Sequence, residues 1–397
     1  MSIETILQPI LAKLSGIGKH QRTFFLELVT VFLGRQGRAT FENLGRYSRF
    51  TELTFRRQFA TFFDWLGFNI ACIDWQKETY IGIVDCSFLP KSGKATFGLD
   101  KFWSSCAGKA LSGLEVSVLA CVGVVSKQTW ALDATQTPAK LEADTAKGYT
   151  RLSFYLEQLA DCLPRLSQLT YWVADGYYAK VQVINLFLKH NRHLITRLRM
   201  DADLYYLWTK GRQPGQKGRT RLYDGKVAFD DLSRWVWVGL HPVHESVSLY
   251  SQVLYSKRFK RNLRVVLLFQ ETNKKYVLIA STDVGQDPTQ IAFYYHLRFG
   301  IELLFRDAKQ FAGLSHCQSR SEVKIDYHLN ASLSTVNVAR LLLAADASLH
   351  QSMNALVRRL TSRRIWQTIY EQLSLEGLVD VNRFDSLKCQ FWSRRAT

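Results

Sequence analysis

Apolar positions recur at helical spacing through FFLELVTVFLG and stop at Gly34, and two shorter periodic segments follow around a polar turn at 48–51. Residues 1–75 therefore read as helices. The period then changes. Residues 79–88, TYIGIVDCSF, are β-branched and apolar up to Asp85, which predicts a central strand buried on both faces with a carboxylate near its end. A long basic loop is expected over 89–113, followed by strands at 114–125 and 128–133 joined by a tight turn near Ser126. A helix at about 141–163, a strand at 168–174 closed by Asp175, a helix at 179–189 and a strand at 193–197 complete this stretch. That order predicts a mixed α/β sheet, in which functional groups gather at strand ends. A lone strand-end aspartate is often only a turn former, so Asp85 and Asp175 gain meaning as a pair.

Residues 200–284 break the α/β alternation. A glycine-rich basic loop, TKGRQPGQKGRTR, carries Arg212 and Arg219, and strand-like segments follow at 226–229, 234–240, 246–255, 264–270 and 276–281. The pattern predicts an independent β-rich subdomain dropped into a loop of the sheet domain. One long helix is then expected over 293–310, FYYHLRFGIELLFRDAKQ. At 100° per residue, Tyr295, Arg298, Glu302 and Lys309 share an arc of about 60° while the remaining faces are apolar. A carboxylate between two cations and a phenol on a buried helix suits a site for metal and phosphate, although a salt bridge facing water would give the same spacing. Helices continue over 327–349 and through RRLTSRRIWQTIYEQL, whose mixed surface fits self-association or DNA packing. The chain thus divides at about 1–75, 76–199, 200–284, 285–325 and 326–397.

Charge changes the picture most. The 397 residues hold 52 Lys and Arg against 34 Asp and Glu, a net charge of +18, which favours a polyanionic partner such as nucleic acid. Seven cysteines in no CxxC pair indicate reduced, mostly buried thiols of a cytoplasmic protein, and His316–Cys317 lacks a second ligand pair for zinc. No stretch reaches the length of an apolar membrane span. In the N-terminal region, the two segments flanking the 48–51 turn suggest a helix-turn-helix. Arg46 and Arg49 precede its second helix and Arg56 and Arg57 are expected near that helix's start, where bases and phosphates are met. A small helical bundle with a solvated basic face accounts for the same spacing. Lys91, in the basic loop after the first strand, is a further candidate for DNA contact.

Tyr295, Arg298, Glu302 and Lys309 fit the Y-(2)-R-(3)-E-(6)-K signature, and with Asp85 and Asp175 the chain resembles the bacterial insertion-sequence DDE transposases of the family-four group. The β-rich insertion and the helical N-terminal region are also similar to that family's. The resemblance implies a ribonuclease H-like core flanked by helical N- and C-terminal regions. It implies that Asp85, Asp175 and Glu302 are catalytic and hold two Mg2+ ions, with Mn2+ able to substitute. Tyr295, Arg298 and Lys309 would bind DNA phosphate. Hard cations take carboxylate oxygens, and a metal pair can stabilise both the attacking and the leaving oxygen of an in-line displacement. The implied activity is cut-and-paste transposition: water frees a 3′-hydroxyl at the element end, and that hydroxyl then attacks target DNA. The implied partners are double-stranded DNA, as terminal inverted repeats and target, and a second copy in a paired-end complex. Where relatives that use a hairpin DNA intermediate stack a flipped base on Trp, this chain has Tyr276. A nuclease or resolvase of the same fold that cuts without joining, or a catalytically idle DNA-binding descendant, would share much of this sequence.

Overall fold

The computed structural model describes residues 2–141, 148–212, 217–345 and 352–375. Five helices open the chain: α1 (Ile3–Ala12), α2 (Lys19–Gly34), α3 (Phe41–Arg46), α4 (Glu52–Gln58) and α5 (Trp65–Ala71). Ser2, Thr40, Thr51 and Asp64 cap α1, α3, α4 and α5 by accepting from backbone N–H groups three residues on. Phe24, Phe25, Phe32, Phe55, Phe59 and Phe68 fill the centre of this group, each at most 1% exposed. The turn between α3 and α4 falls where expected. Arg56 and Arg57 do not open the second helix, however; α4 begins at Glu52 under the Thr51 cap and the two arginines form its last turn.

The strands that follow are β1 (Tyr80–Pro90), β2 (Asp100–Ser104), β3 (Lys109–Gly123) and β4 (Thr129–Gln136). Next come α6 (Arg151–Cys162), β5 (Tyr171–Ala174), α7 (Val181–Lys189) and β6 (His193–Leu198). β1, β5 and β6 are parallel neighbours and β3 runs antiparallel to β1, giving the mixed, ribonuclease H-like sheet. The expected loop 89–113 contains β2, which pairs with the first residues of β3; only Phe102 of that short strand is an apolar residue turned inward, too little for a periodic signal. α6 starts at Arg151, where Thr150 and Ser153 form a reciprocal capping box, rather than near 141. Residues 142–147 of that expected helix lie outside the described residues.

The insertion supplies β7 (Leu204–Leu207), β8 (Tyr223–Lys226), β9 (Val236–Leu240), β10 (Val247–Ser256), β11 (Arg261–Gln270) and β12 (Lys275–Ser281). It is β-rich as expected, but it is not independent. β12 pairs antiparallel with β6, from Leu278 opposite Leu198 to Ser281 opposite Ile195. One sheet therefore runs β2-β3-β1-β5-β6-β12-β11-β10-β7-β8, with β4 on the outer side of β3 and β9 beside β10. KYVLIAS is apolar on both faces, as a strand inside a covered sheet must be.

Helices α8 (Pro288–Leu297), α9 (Gly300–Gln310), α10 (Glu322–Ala345) and α11 (Met353–Leu375) complete the chain. α6 and α7 cover one face of the sheet, where Leu159, Phe187, Trp172, Leu194 and Leu278 share a core. α8, α9 and α10 cover the other, with Ile291, Leu304 and Leu333 against Ile83, Val173 and Ile279. α10 also reaches into the N-terminal helices through Tyr327, Ala331 and Val338. It closes the open edge of β4 with two amides: Asn330 exchanges bonds of 3.1 and 2.7 Å with the N–H and C=O of Ala134, and Asn337 bonds of 3.0 and 2.9 Å with those of Ala131. α11 packs on α2, where Arg364 pairs with buried Glu27 at 2.6 Å.

Candidate active site at the carboxyl ends of the parallel strands

β5 pairs with β1 only from Gly82 to Val84, so Asp85 stands where the parallel neighbour ends. Its side chain follows Ile81 and Ile83 on the face covered by α8 and α9. Asp175 follows the last residue of β5; its Oδ1 accepts from the N–H of Tyr177 at 2.9 Å, which turns the chain, and its carbonyl accepts from the Thr196 hydroxyl at 2.7 Å. Glu302 lies in the first turn of α9. Arg298 joins two of the three carboxylates: Nη1 donates to Asp85 Oδ2 and Nη2 to Glu302 Oε1, both at 2.9 Å.

The helix expected over 293–310 is broken. Arg298, Phe299 and Ile301 donate to carbonyls three residues back, a tightened 3₁₀-type turn between α8 and α9. The turn places Gly300 so near β4 that a Cβ would lie 2.2 Å from Thr129 Oγ1. Arg298 and Phe299 keep right-handed helical angles, so the polar stripe survives. Tyr295 lies close enough to Arg298 and to the Asp175 charge for both to act on its phenol, whose pKa burial raises. Lys309 donates to Ser87 Oγ at 2.8 Å and to the Phe88 carbonyl at 3.0 Å, tying the end of α9 to β1.

Burial pushes the Asp85 carboxyl up to about 6, the charges of Asp175 and Glu302 push the same way, and Arg298 opposes them. Three carboxylates that feel one another with one bridging cation form a hard-oxygen set in need of positive charge, so the donor chemistry fits a divalent ion. Among the described residues no three acidic, His or Cys side chains already converge on one point, since the Arg298 fork separates Asp85 from Glu302.

Other candidates lie elsewhere. Tyr276 shares the parity of Leu278, so it points to the α6–α7 face, beside Phe229, on the opposite side of the sheet from Asp85. The arrangement does not bring it to the carboxylates. Lys91 donates to the Cys317 carbonyl and tethers the end of β1. Arg46 pairs with Glu42, Arg49 lies 3.9 Å from Glu27, and Arg56 pairs with Glu52 while covering the Phe41 ring. Arg57 is exposed on α4, and Arg212 and Arg219 are exposed on the insertion loop.

Two residues near the site escaped the sequence reading. Ser87, on the same side of β1 as Asp85, receives Lys309. Arg197 follows Ile195 on the site-facing side of β6, where its charge acts on Tyr295; with Gly176, Arg199 and Met200 it lines a cavity of about 470 Å³. An arginine two residues after Ile195 in HLITRL, at the same parity, was the available signal.

No curated protein matches the chain. The family described as "Transposase DDE domain" matches residues 77–337, about two thirds of the chain, from three residues before β1 to the second of the two asparagines on α10. The matched span contains the whole sheet and all three carboxylates, and the chain belongs to the DDE transposases.

Proposed function

We propose that the protein is a cut-and-paste transposase that binds the terminal inverted repeats of its own element and acts as a dimer in a paired-end complex. The observation that carries this reading is the Arg298 fork between Asp85 and Glu302, one strand from Asp175, at the carboxyl ends of β1 and β5. Asp85, Asp175 and Glu302 would hold Mg2+, or Mn2+ in its place, which supplies charge stabilisation of attacking and leaving oxygens. Tyr295, Arg298 and Lys309 hold the DNA phosphate: Arg298 offers a planar fork, and Lys309 a point charge fixed by Ser87. Arg197 extends this cationic wall along β6.

The N-terminal helices serve as the end reader in this proposal. Their contact surface is the exposed side of α4, where Leu53 and Arg57 lie one turn apart, rather than Arg56, which Glu52 holds. No helix among the described residues is long and apolar enough to cross a membrane.

The test is cleavage of a labelled duplex carrying the element's own terminal repeat, with and without Mg2+, by the wild-type chain and by Asp85→Ala. Mg2+-dependent nicking at the repeat boundary, lost in Asp85→Ala while end binding persists, is the expected result. Equal binding with no cutting by either protein would replace this reading with that of an idle DNA-binding protein.

A further inference from the structure

β3 outruns its neighbour. β1 ends opposite Gly113, and residues 109–112 of β3 pair with β2 alone, so the two strands leave the sheet as a two-stranded ribbon at the end where Asp85 lies. The ribbon has two unlike sides. Phe102 is fully buried beneath the Arg151 guanidinium and Ser104 is 7% exposed, so that side is seated against α6. The other side carries Lys101, Trp103, Ala110 and Ser112, all exposed, with Trp103 at 61%.

Register fixes where the bare side looks. Trp103 stands opposite Ala110 and Lys101 opposite Ser112, and directly paired residues share a face. Ala110 and Ser112 continue the side of β3 that carries Leu114, Val116 and Val118 into the core beneath α8 and α9. Val118 in turn stands opposite Asp85. Trp103 and Lys101 are therefore on the carboxylates' side of the sheet. At the ribbon's tip, the exposed Cys106 lies near Lys309. Lys94 and Lys109 add exposed positive charge at the same end.

We propose that the β2–β3 ribbon is a DNA-holding arm in which Trp103 stacks on the terminal base beside the scissile phosphate and Lys101 binds the adjoining backbone. This rests on the transposase reading above. An indole face on an anchored ribbon suits a base at the cut end because that base has a neighbour on one side only and unstacks at least cost. The lysines account for the choice of a polyanion over an apolar partner.

The test uses the full chain and a duplex of the element's terminal repeat with 2-aminopurine as the terminal base, or six base pairs inside it as a control, in EDTA so that binding is read without cutting. Wild-type protein quenches the terminal probe and leaves the internal one unchanged. Trp103→Ala loses the quench and binds about tenfold more weakly, whereas Trp103→Phe keeps the quench and stays within about threefold. Equal quench and affinity in Trp103→Ala overturns the proposal, as does equal loss in Trp103→Phe. With wild-type protein alone, ultraviolet cross-linking of 5-iodouracil at the terminal position must label the peptide containing Trp103; labelling only elsewhere overturns the proposal even if a variant fails to fold. Cleavage in Mg2+ of a second duplex, in which the repeat continues into flanking sequence, separates the two readings. Cutting without a Trp103 cross-link removes the arm and keeps the transposase, and a cross-link without cutting does the reverse.

Discussion

The two faces of one sheet differ in what their polar groups are for. Toward α6 and α7 the strands present Trp172, Leu194, Leu278 and Tyr276, and the carboxylates there, Glu115 and Asp133, are tied off by Tyr155 and Gln158 of α6. Toward α8 and α9 they present Asp85, Ser87 and Arg197, and the helices answer with Tyr295, Arg298, Glu302 and Lys309. Neighbouring residues in one strand therefore have opposite duties: Asp85 faces the cationic helices, while Cys86 meets the Tyr178 hydroxyl at 3.5 Å on the other side. Position along a strand fixes how near a residue is to the chemistry, and parity fixes whether it takes part.

The largest effect that would sharpen this contrast is at Asp85. Asp85→Ala should lower cleavage about a thousandfold while the melting temperature holds or rises, because a crowded buried carboxylate is removed. A collapse of folding would instead make the site face structural. Gly82 gives the converse case three residues earlier. A Cβ there would lie 2.3 Å from the Trp172 ring, so Gly82→Ala should cost about 1–3 kcal/mol in chemical denaturation with no lysine or carboxylate displaced.

Asp326 tests the seam where α10 meets β4. Burial pushes its carboxyl up to about 7, with Asp133 and Glu322 adding to the rise. The folded chain thus holds that proton more tightly than the unfolded chain does, so its contribution to stability is full below about pH 4 and is lost as pH rises through 7. Asp326→Asn should raise the melting temperature by roughly a few degrees at pH 8 and leave it unchanged at pH 4. The smallest effect is expected at Tyr276. Its alanine variant should cut end DNA within about twofold of wild type and lose about 1 kcal/mol of stability. A large cleavage defect in a well-folded Tyr276→Ala would return that residue to the DNA and break the two-face division.

Of the strands from β1 to β6, all but β2 were legible because each carries its own period, and Asp85 and Asp175 interrupt or close apolar runs. The stripe on α8 and α9 was legible because helical spacing survives the break. What escaped depends on distant pairing. Nothing within KYVLIAS says that β6 is its neighbour, so the insertion reads as separate from the sheet it extends. The face taken by Tyr276 follows from a register set elsewhere. The break at Arg298 and Phe299 reflects the approach of Gly300 to Thr129, more than 170 residues earlier in the chain. The arginines of the N-terminal region were legible as charge but not as partners of Glu42 and Glu52 on their own helices.

The two asparagines of α10 set an order on synthesis. β4 is complete by Gln136, but the amides that occupy its outer edge arrive only at Asn330 and Asn337. Until then the nascent chain exposes unpaired backbone that another strand could take. A message broken before residue 330 would thus yield a sticky fragment rather than a smaller enzyme, and finishing the last third of the chain is what makes the first half safe in a crowded cell.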